Sequence, residues 1–176
     1  KAHEIKGKIS STVLEKLEKE ADSIIERPIP SILDKTNIPP SGDMRDYFTP
    51  APYVHTLKNG QKIYKDGQRI SSAQKGTPGN LAYDGPAFSS FIYNVCVLAS
   101  AGSLFNNKTF LSHAAATLKH WFIDPESRMN PNLNFAQWHG EQKNAFGIVE
   151  ARGGWIIPEM AACLHQQNCL NDQEIA

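Results

Sequence analysis

From Ser10 or Ser11 onward the apolar residues Val13, Leu14, Leu17, Ala21, Ile24 and Ile25 recur at helical spacing, with lysines and acids filling the other face. A serine at that point predicts an N-cap, and Pro28 predicts the stop. A broader stripe of Phe88, Phe91, Ile92, Val95, Cys96, Leu98 and Ala99 predicts a second helix, capped by Asp84, carrying Pro86 in its first turn and ending at Gly102. Phe110, Leu111, Ala114, Ala115, Leu118, Trp121 and Phe122 share one face of a third helix from Lys108 to Phe122. The connection between these two helices is short, so they should fold back on each other as an antiparallel αα-hairpin. After a glycine break before Trp155, Pro158 opens a further helix through Ala162 and Leu164.

Residues 28–85 behave differently. Prolines and glycines interrupt every helical run, and the turn dipeptides Asn59-Gly60 and Asp66-Gly67 flank "QKIYK", which predicts one short strand. A long irregular segment in a compact domain is usually functional, so 28–85 is expected to be a loop region on the ligand side. The predicted fold class is all-α, built of αα-hairpins with long loops and little strand.

Composition bounds the chemistry. With 176 residues, 40% hydrophobic and 20% charged, the chain fits one ordinary globular core. No stretch reaches the roughly 18 consecutive apolar residues of a membrane span. Eighteen basic side chains balance eighteen acidic ones, which offers no global attraction for nucleic acid or a membrane surface. Locally the balance tips: Arg45, Lys58, Lys62, Lys65, Arg69 and Lys75 face only Asp46 and Asp66 in their segment, so this loop could meet an anion.

Other chemistries find no motif. HExxH, GxSxG and phosphate-cradling glycine loops are absent, and no cofactor or metal is expected. His113 and His120 lie about 10.5 Å apart along one helix, too far to share a metal, and read as surface or interface side chains. Cys96 reads as a small buried hydrophobe; Cys163 and Cys169 either close a small ring or remain free. Asn107-Lys108-Thr109 is a glycosylation sequon, relevant only to a secreted protein. The absence of an initial methionine or leader points to a processed product or fragment.

Two polar loops carry the remaining chemistry, "SGDMRDYFTPAPYVH" (Ser41 to His55) and "RMNPNLNFAQWHG" (Arg128 to Gly140). Rings such as Tyr47, Tyr53 and Trp138 can cover the flat apolar faces of sugar rings, while Asn, Gln, Asp and Arg address hydroxyls and carboxylates. Equally, Asn130, Asn132 and Asn134 can serve as turn formers that satisfy backbone groups. Asp43 and Asp46 either hold sugar hydroxyls or cap the loop and pair with Arg45. Arg152, beside two glycines in "EARGG", can approach a carboxylate with both nitrogens or pair with Glu150.

The run "PIPSILDKTNIPPSGDMRDYFTPAPY", the element "KDGQR", the hairpin ending "WFIDPESRMNPNLNFAQ" and then "GIVEARG" resemble, in that order, the N-terminal half of the alginate lyase-like family of polysaccharide lyases. The resemblance runs from about Pro28 to Ile175. It departs from the family at Val54-His55, where tryptophans are usual, and at Trp138-His139. It implies that residues 1–176 form part of a single incomplete (α/α) toroid, a secreted protein, and β-elimination on an acidic polysaccharide such as alginate or a related uronan. The family's catalytic asparagine-histidine pair and tyrosine lie further along the chain than the segment resembled, so a catalytic half is expected beyond 176, in the same chain or a second one.

β-Elimination needs a group to neutralise the uronate carboxylate, a base for the C5 proton and an acid for the departing oxygen. Arg45, Asn132, Asn134 and Gln137 are candidates for neutralisation or binding, joined by Asp46, Tyr47, Tyr53 and Arg152 as substrate contacts. Tyr47 and His139 are candidates for proton transfer, against the alternative of packed rings with one hydrogen bond. The rival function is a non-catalytic carbohydrate-binding or interaction protein that shares the fold.

Overall fold

The computed structural model describes residues 5–70, 76–77, 80–140 and 147–175. About 51% of it is helical, with little strand, as the hydrophobic pattern predicts. The chain divides into two compact units, one of Lys1–Ile29, Ser90–Pro125 and Gly154–Ala176, the other of Pro30–Ser89 and Glu126–Gly153.

In the first unit, α1 (Ser11–Ile25) buries Ala21 and Ile24, while Val13 is exposed. Ser10 occupies its N-cap position by backbone geometry, but its hydroxyl makes no capping bond. Helices α2 (Asp84–Phe105) and α3 (Lys108–Phe122) form the expected hairpin. Phe91 stacks on Trp121 with ring centroids 4.8 Å apart. Near the turn, Asn107 N donates to the Gly102 carbonyl at 2.9 Å.

Contrary to the sequence expectation, Gly102 does not end α2; the helix continues to Phe105, and Asn106, at φ 53°, closes it. The glycine serves close packing instead. A Cβ there would lie 2.6 Å from Cγ of Leu111, so only a hydrogen lets the two helices approach. By length and composition α2 could cross a bilayer, yet its Phe91, Val95, Leu98 and Ala99 are core residues with at most 1% exposure.

Asn107 caps α3: its side-chain oxygen accepts from Thr109 N at 2.9 Å and Phe110 N at 3.3 Å, so the sequon asparagine has a structural task. His113 and His120 are half-buried on α3. Cys96 is half-buried rather than buried, and Cys163 and Cys169 are free thiols. Helix α4 (Gly147–Glu150) belongs to the second unit; α5 (Ile156–Gln166), which begins two residues before Pro158, and α6 (Asp172–Ile175) complete the first.

The second unit holds the irregular segments, ordered by short strand pairs rather than by helices. Strand β1 (Phe48–Pro50) pairs in parallel with β6 (Phe135–Trp138). β2 (Val54–Thr56) and β3 (Lys62–Tyr64) form an antiparallel hairpin, with Gly60 and Gly67 at positive φ on either side of β3, where the turn dipeptides predict them. β4 (Gly76–Thr77) and β5 (Asn80–Leu81) make a third small pair.

Beneath β1 lies a buried ion pair. The Lys35 and Asp84 side chains are both 0% exposed and 3.1 Å apart. Lys35 Nζ also donates to the carbonyls of Ile32 and Met44, while Asp84 accepts from Phe48 N at 2.7 Å. Burial pushes the Asp84 carboxyl up to about 7, opposed by Lys35 and the Phe48 N–H, and burial likewise lowers Lys35 against the pull of Asp84. The acceptors around Nζ match the three donors of an ammonium, which keeps the proton on lysine. The sequence predicts Asp84 as a helix cap; its side chain instead ties the start of α2 to the first residue of β1 and, through Lys35, to the turn at Ile32–Asp34.

Candidate functional site

The parallel pairing of β1 and β6 brings the two polar loops together. The register runs from Phe48 opposite Phe135 to Pro50 opposite Trp138, so one extra residue is accommodated on β6. Such a bulge re-aims a side chain. Gln137, at φ 51°, takes this left-handed conformation, and its N–H donates to Thr49 Oγ1 at 2.8 Å. Both residues face a cleft of about 840 Å³, lined also by Tyr47, Tyr53, Tyr64, Arg69, Phe88, His139, Glu150 and Arg152.

Glu150 joins the walls of this cleft. Its Oε2 accepts from the Tyr47 hydroxyl and its Oε1 from Gln137 Nε2, each at 2.9 Å. Tyr47 is 1% exposed and meets Phe88 edge-on at 5.7 Å. Burial, then the charge and hydrogen bond of Glu150, holds its hydroxyl far above the usual tyrosine range. Tyr47 is therefore a packed ring with one hydrogen bond, the alternative that the sequence leaves open for it beside proton transfer. His139 is exposed at the cleft edge, and its carbonyl accepts from Lys62 Nζ at 2.8 Å. Tyr53 meets Tyr64 edge-on at 6.1 Å, giving the cleft an aromatic wall.

Arg69 and Arg152 supply positive charge. Both are exposed, both line the cleft, and neither has an ion-pair partner among the described residues. Arg152 forms no ion pair with Glu150, whose two oxygens accept from Tyr47 and Gln137. Arg69, Tyr64, Thr49 and Glu150 are cleft residues that the sequence alone does not single out as ligand contacts. The excess of basic residues between 45 and 75 is the signal that points to Arg69; Lys75 of the same run lies outside the described residues.

The expected contacts Arg45, Asp46, Asn132 and Asn134 do not line this cleft. Three of them belong to a clasp between the loops. Arg45 pairs with Asp43 through Nη2 at 3.2 Å, and Asn130 Nδ2 bridges Asp43 and Asp46 at 3.0 and 2.8 Å. Asn132 donates to the same Asp46 oxygen at 3.1 Å, while Asn134 N donates to Asn132 Oδ1 at 3.1 Å. Asp43 is held well below the usual carboxylate range by bonds from the Arg45 side chain and backbone and from Asn130. Burial pushes Asp46 up, but bonds from Ser41, Asn130 and Asn132 outweigh it and hold the carboxyl below its ordinary value. Tyr47, Tyr53, Gln137, His139 and Arg152 are brought together in the cleft; Arg45 spends its guanidinium on Asp43, and Asn132 spends its amide on Asp46. No cluster of metal-ligating side chains occurs among the described residues.

The same fold occurs in a solved structure. The crystal structure of an alginate lyase from Bacteroides ovatus superimposes with a TM-score of 0.81 at 22% sequence identity, covering 98% of this chain and 47% of that one. The chain thus spans about half the length of that structure. No curated protein matches it. The alginate lyase family model matches residues 31–175, a span that includes both loops, the helical hairpin and Glu150, and the chain belongs to that family.

Proposed function

We propose that the cleft binds an acidic polysaccharide of uronic acids, alginate or a related uronan, and that the protein acts as a polysaccharide lyase by β-elimination. The observation that carries this reading is the pair Arg69 and Arg152, exposed in the cleft without carboxylate partners among the described residues. A guanidinium offers two parallel donors to a carboxylate, and the Tyr53 and Tyr64 rings beside it suit the apolar face of a sugar.

In this reading an arginine draws charge from the uronate carboxylate, making the C5 proton more acidic. Gln137 orients the same or the adjacent sugar. His139, exposed at the cleft edge, is the remaining candidate in this chain for moving a proton. The rest of the elimination machinery is assigned to the part of an incomplete (α/α) toroid that this chain does not span, carried by further residues of the same protein or by a second chain. A polymer substrate of this kind implies secretion, in which setting the Asn107 sequon could carry glycan.

The commitment of Tyr47 to Glu150 favours one alternative, a binding protein with this fold that leaves elimination to another component. Incubation with alginate and with glucuronan separates the two. Growth of ultraviolet absorbance from the unsaturated uronate product supports the lyase; saturable binding without it supports the alternative; neither result would overturn both.

A further inference from the structure

Glu150 lies in the cleft with both its oxygens already engaged, by Tyr47 and Gln137 at 2.9 Å. An ionised carboxylate only accepts, so it determines which end of the Gln137 amide turns toward it: the nitrogen, never the oxygen. The Gln137 backbone is held independently, by the bulge, by its φ of 51° and by the bond from its N–H to Thr49. Backbone strain concentrated at one non-glycine residue that lines a cleft is a device for presenting a side chain. A side chain so presented is useful to a ligand only if its amide has one fixed sense.

We propose that Glu150 is the positioning residue of the cleft: it sets the orientation of the Gln137 amide and anchors Tyr47 behind it, so that the polar wall is formed before a ligand arrives. This rests on the reading of the cleft as a uronate site. Glu150 itself touches no substrate. Its negative charge, which would repel a uronate, is screened by the two donors it holds.

The test uses the full chain labelled with nitrogen-15, Glu150→Gln, and the exchange variant Gln137→Glu/Glu150→Gln, each titrated with mannuronate trisaccharide. In the unmodified protein the Gln137 side-chain amide protons should be shifted downfield and exchange slowly. In Glu150→Gln either end of the amide can face residue 150, so the shift should collapse and trisaccharide affinity fall about tenfold, the scale of one hydrogen bond to a charged group. The exchange variant restores a bond between the two positions but moves the carboxylate to 137, and should bind more weakly still. Tyr47→Phe removes the other bond to Glu150 and should leave the Gln137 resonances in place, which gives a second reading if Glu150→Gln fails to fold.

Unchanged Gln137 resonances in Glu150→Gln would overturn the proposal, as would unchanged affinity. If the unmodified chain binds no trisaccharide while the Gln137 amide still depends on Glu150, the uronate reading fails and the positioning role stands. Binding without that dependence keeps the uronate reading and removes the positioning role.

Discussion

The clasp and the cleft are built from the same kinds of residue on the same pair of loops, but they differ in how completely their polar groups are used. In the clasp, Asp43, Asp46, Arg45, Asn130 and Asn132 bond one another, and these bonds, with one from Ser41 to Asp46, hold both carboxyls below their ordinary values. In the cleft, each Glu150 oxygen holds one donor, but Arg69 and Arg152 have no ion-pair partner among the described residues. Polar residues in an irregular segment therefore do not all report a ligand: a saturated group contributes to the fold, and an unsaturated one with room in front of it is available for binding.

Substitutions should separate the two regions. The largest effect belongs to the buried pair that supports both. Lys35→Met removes the ammonium that opposes the burial of Asp84 and leaves the carbonyls of Ile32 and Met44 without their donor, and should cost about 3–5 kcal/mol in chemical unfolding above pH 7, less in acid where Asp84 is neutral. Within the clasp, Asp46→Ala leaves Asn130 and Asn132 with unmet donors and should cost about 1–3 kcal/mol, with uronate affinity reduced only as far as the loops loosen. Arg152→Ala should do the opposite. Its loss should change stability by less than about 0.5 kcal/mol, as for most exposed substitutions, while weakening trisaccharide binding by about 1 kcal/mol, the upper range for an exposed ion pair. An Arg152→Ala protein that unfolds early but binds normally would erase the distinction.

Acidity sharpens the contrast. The folded-state values of Asp43 and Asp46 lie below their unfolded ones, so their contribution is present above about 4 and is lost as pH falls below it. Asp84 has the opposite sign. Its value is raised to about 7, so its contribution is complete below the unfolded value and is lost as pH rises through about 7. Unfolding curves collected from acid to neutral pH should show both limbs, the acid limb flattened in Asp46→Asn and the neutral limb flattened in Asp84→Asn. The smallest effect is expected of Asn134→Ala, whose side chain neither lines the cleft nor appears in the clasp bonds, and which should alter stability and affinity by less than about 0.5 kcal/mol.

Much of the helical framework was legible because a helix announces itself locally. The stripe from Phe88 to Ala99 and that from Phe110 to Phe122 each predict a buried face, and Phe91 on Trp121 joins them. The β3 strand was legible from its two flanking turns. The pairing of β1 with β6 was not, because its partners lie far apart in sequence and each strand is too short to show a period. That pairing decides the site: it turns Gln137 into the cleft and brings Glu150 against Tyr47, whereas Asn132 and Asn134, close by in sequence, are directed elsewhere. Gly102 misleads for a related reason, since a glycine within a helix can mark either an end or a close neighbour, and only the position of Leu111 distinguishes them.

The most direct test of whether the cleft, rather than the clasp, meets the ligand is a map of amide and side-chain chemical shifts during titration of the full chain with mannuronate trisaccharide. Perturbations should concentrate at Tyr53, Tyr64, Arg69, Gln137 and Arg152 and weaken as salt is raised, with Asp43, Asp46, Asn130 and Asn132 unmoved. Perturbations centred on the clasp, with the cleft arginines silent, would contradict the assignment.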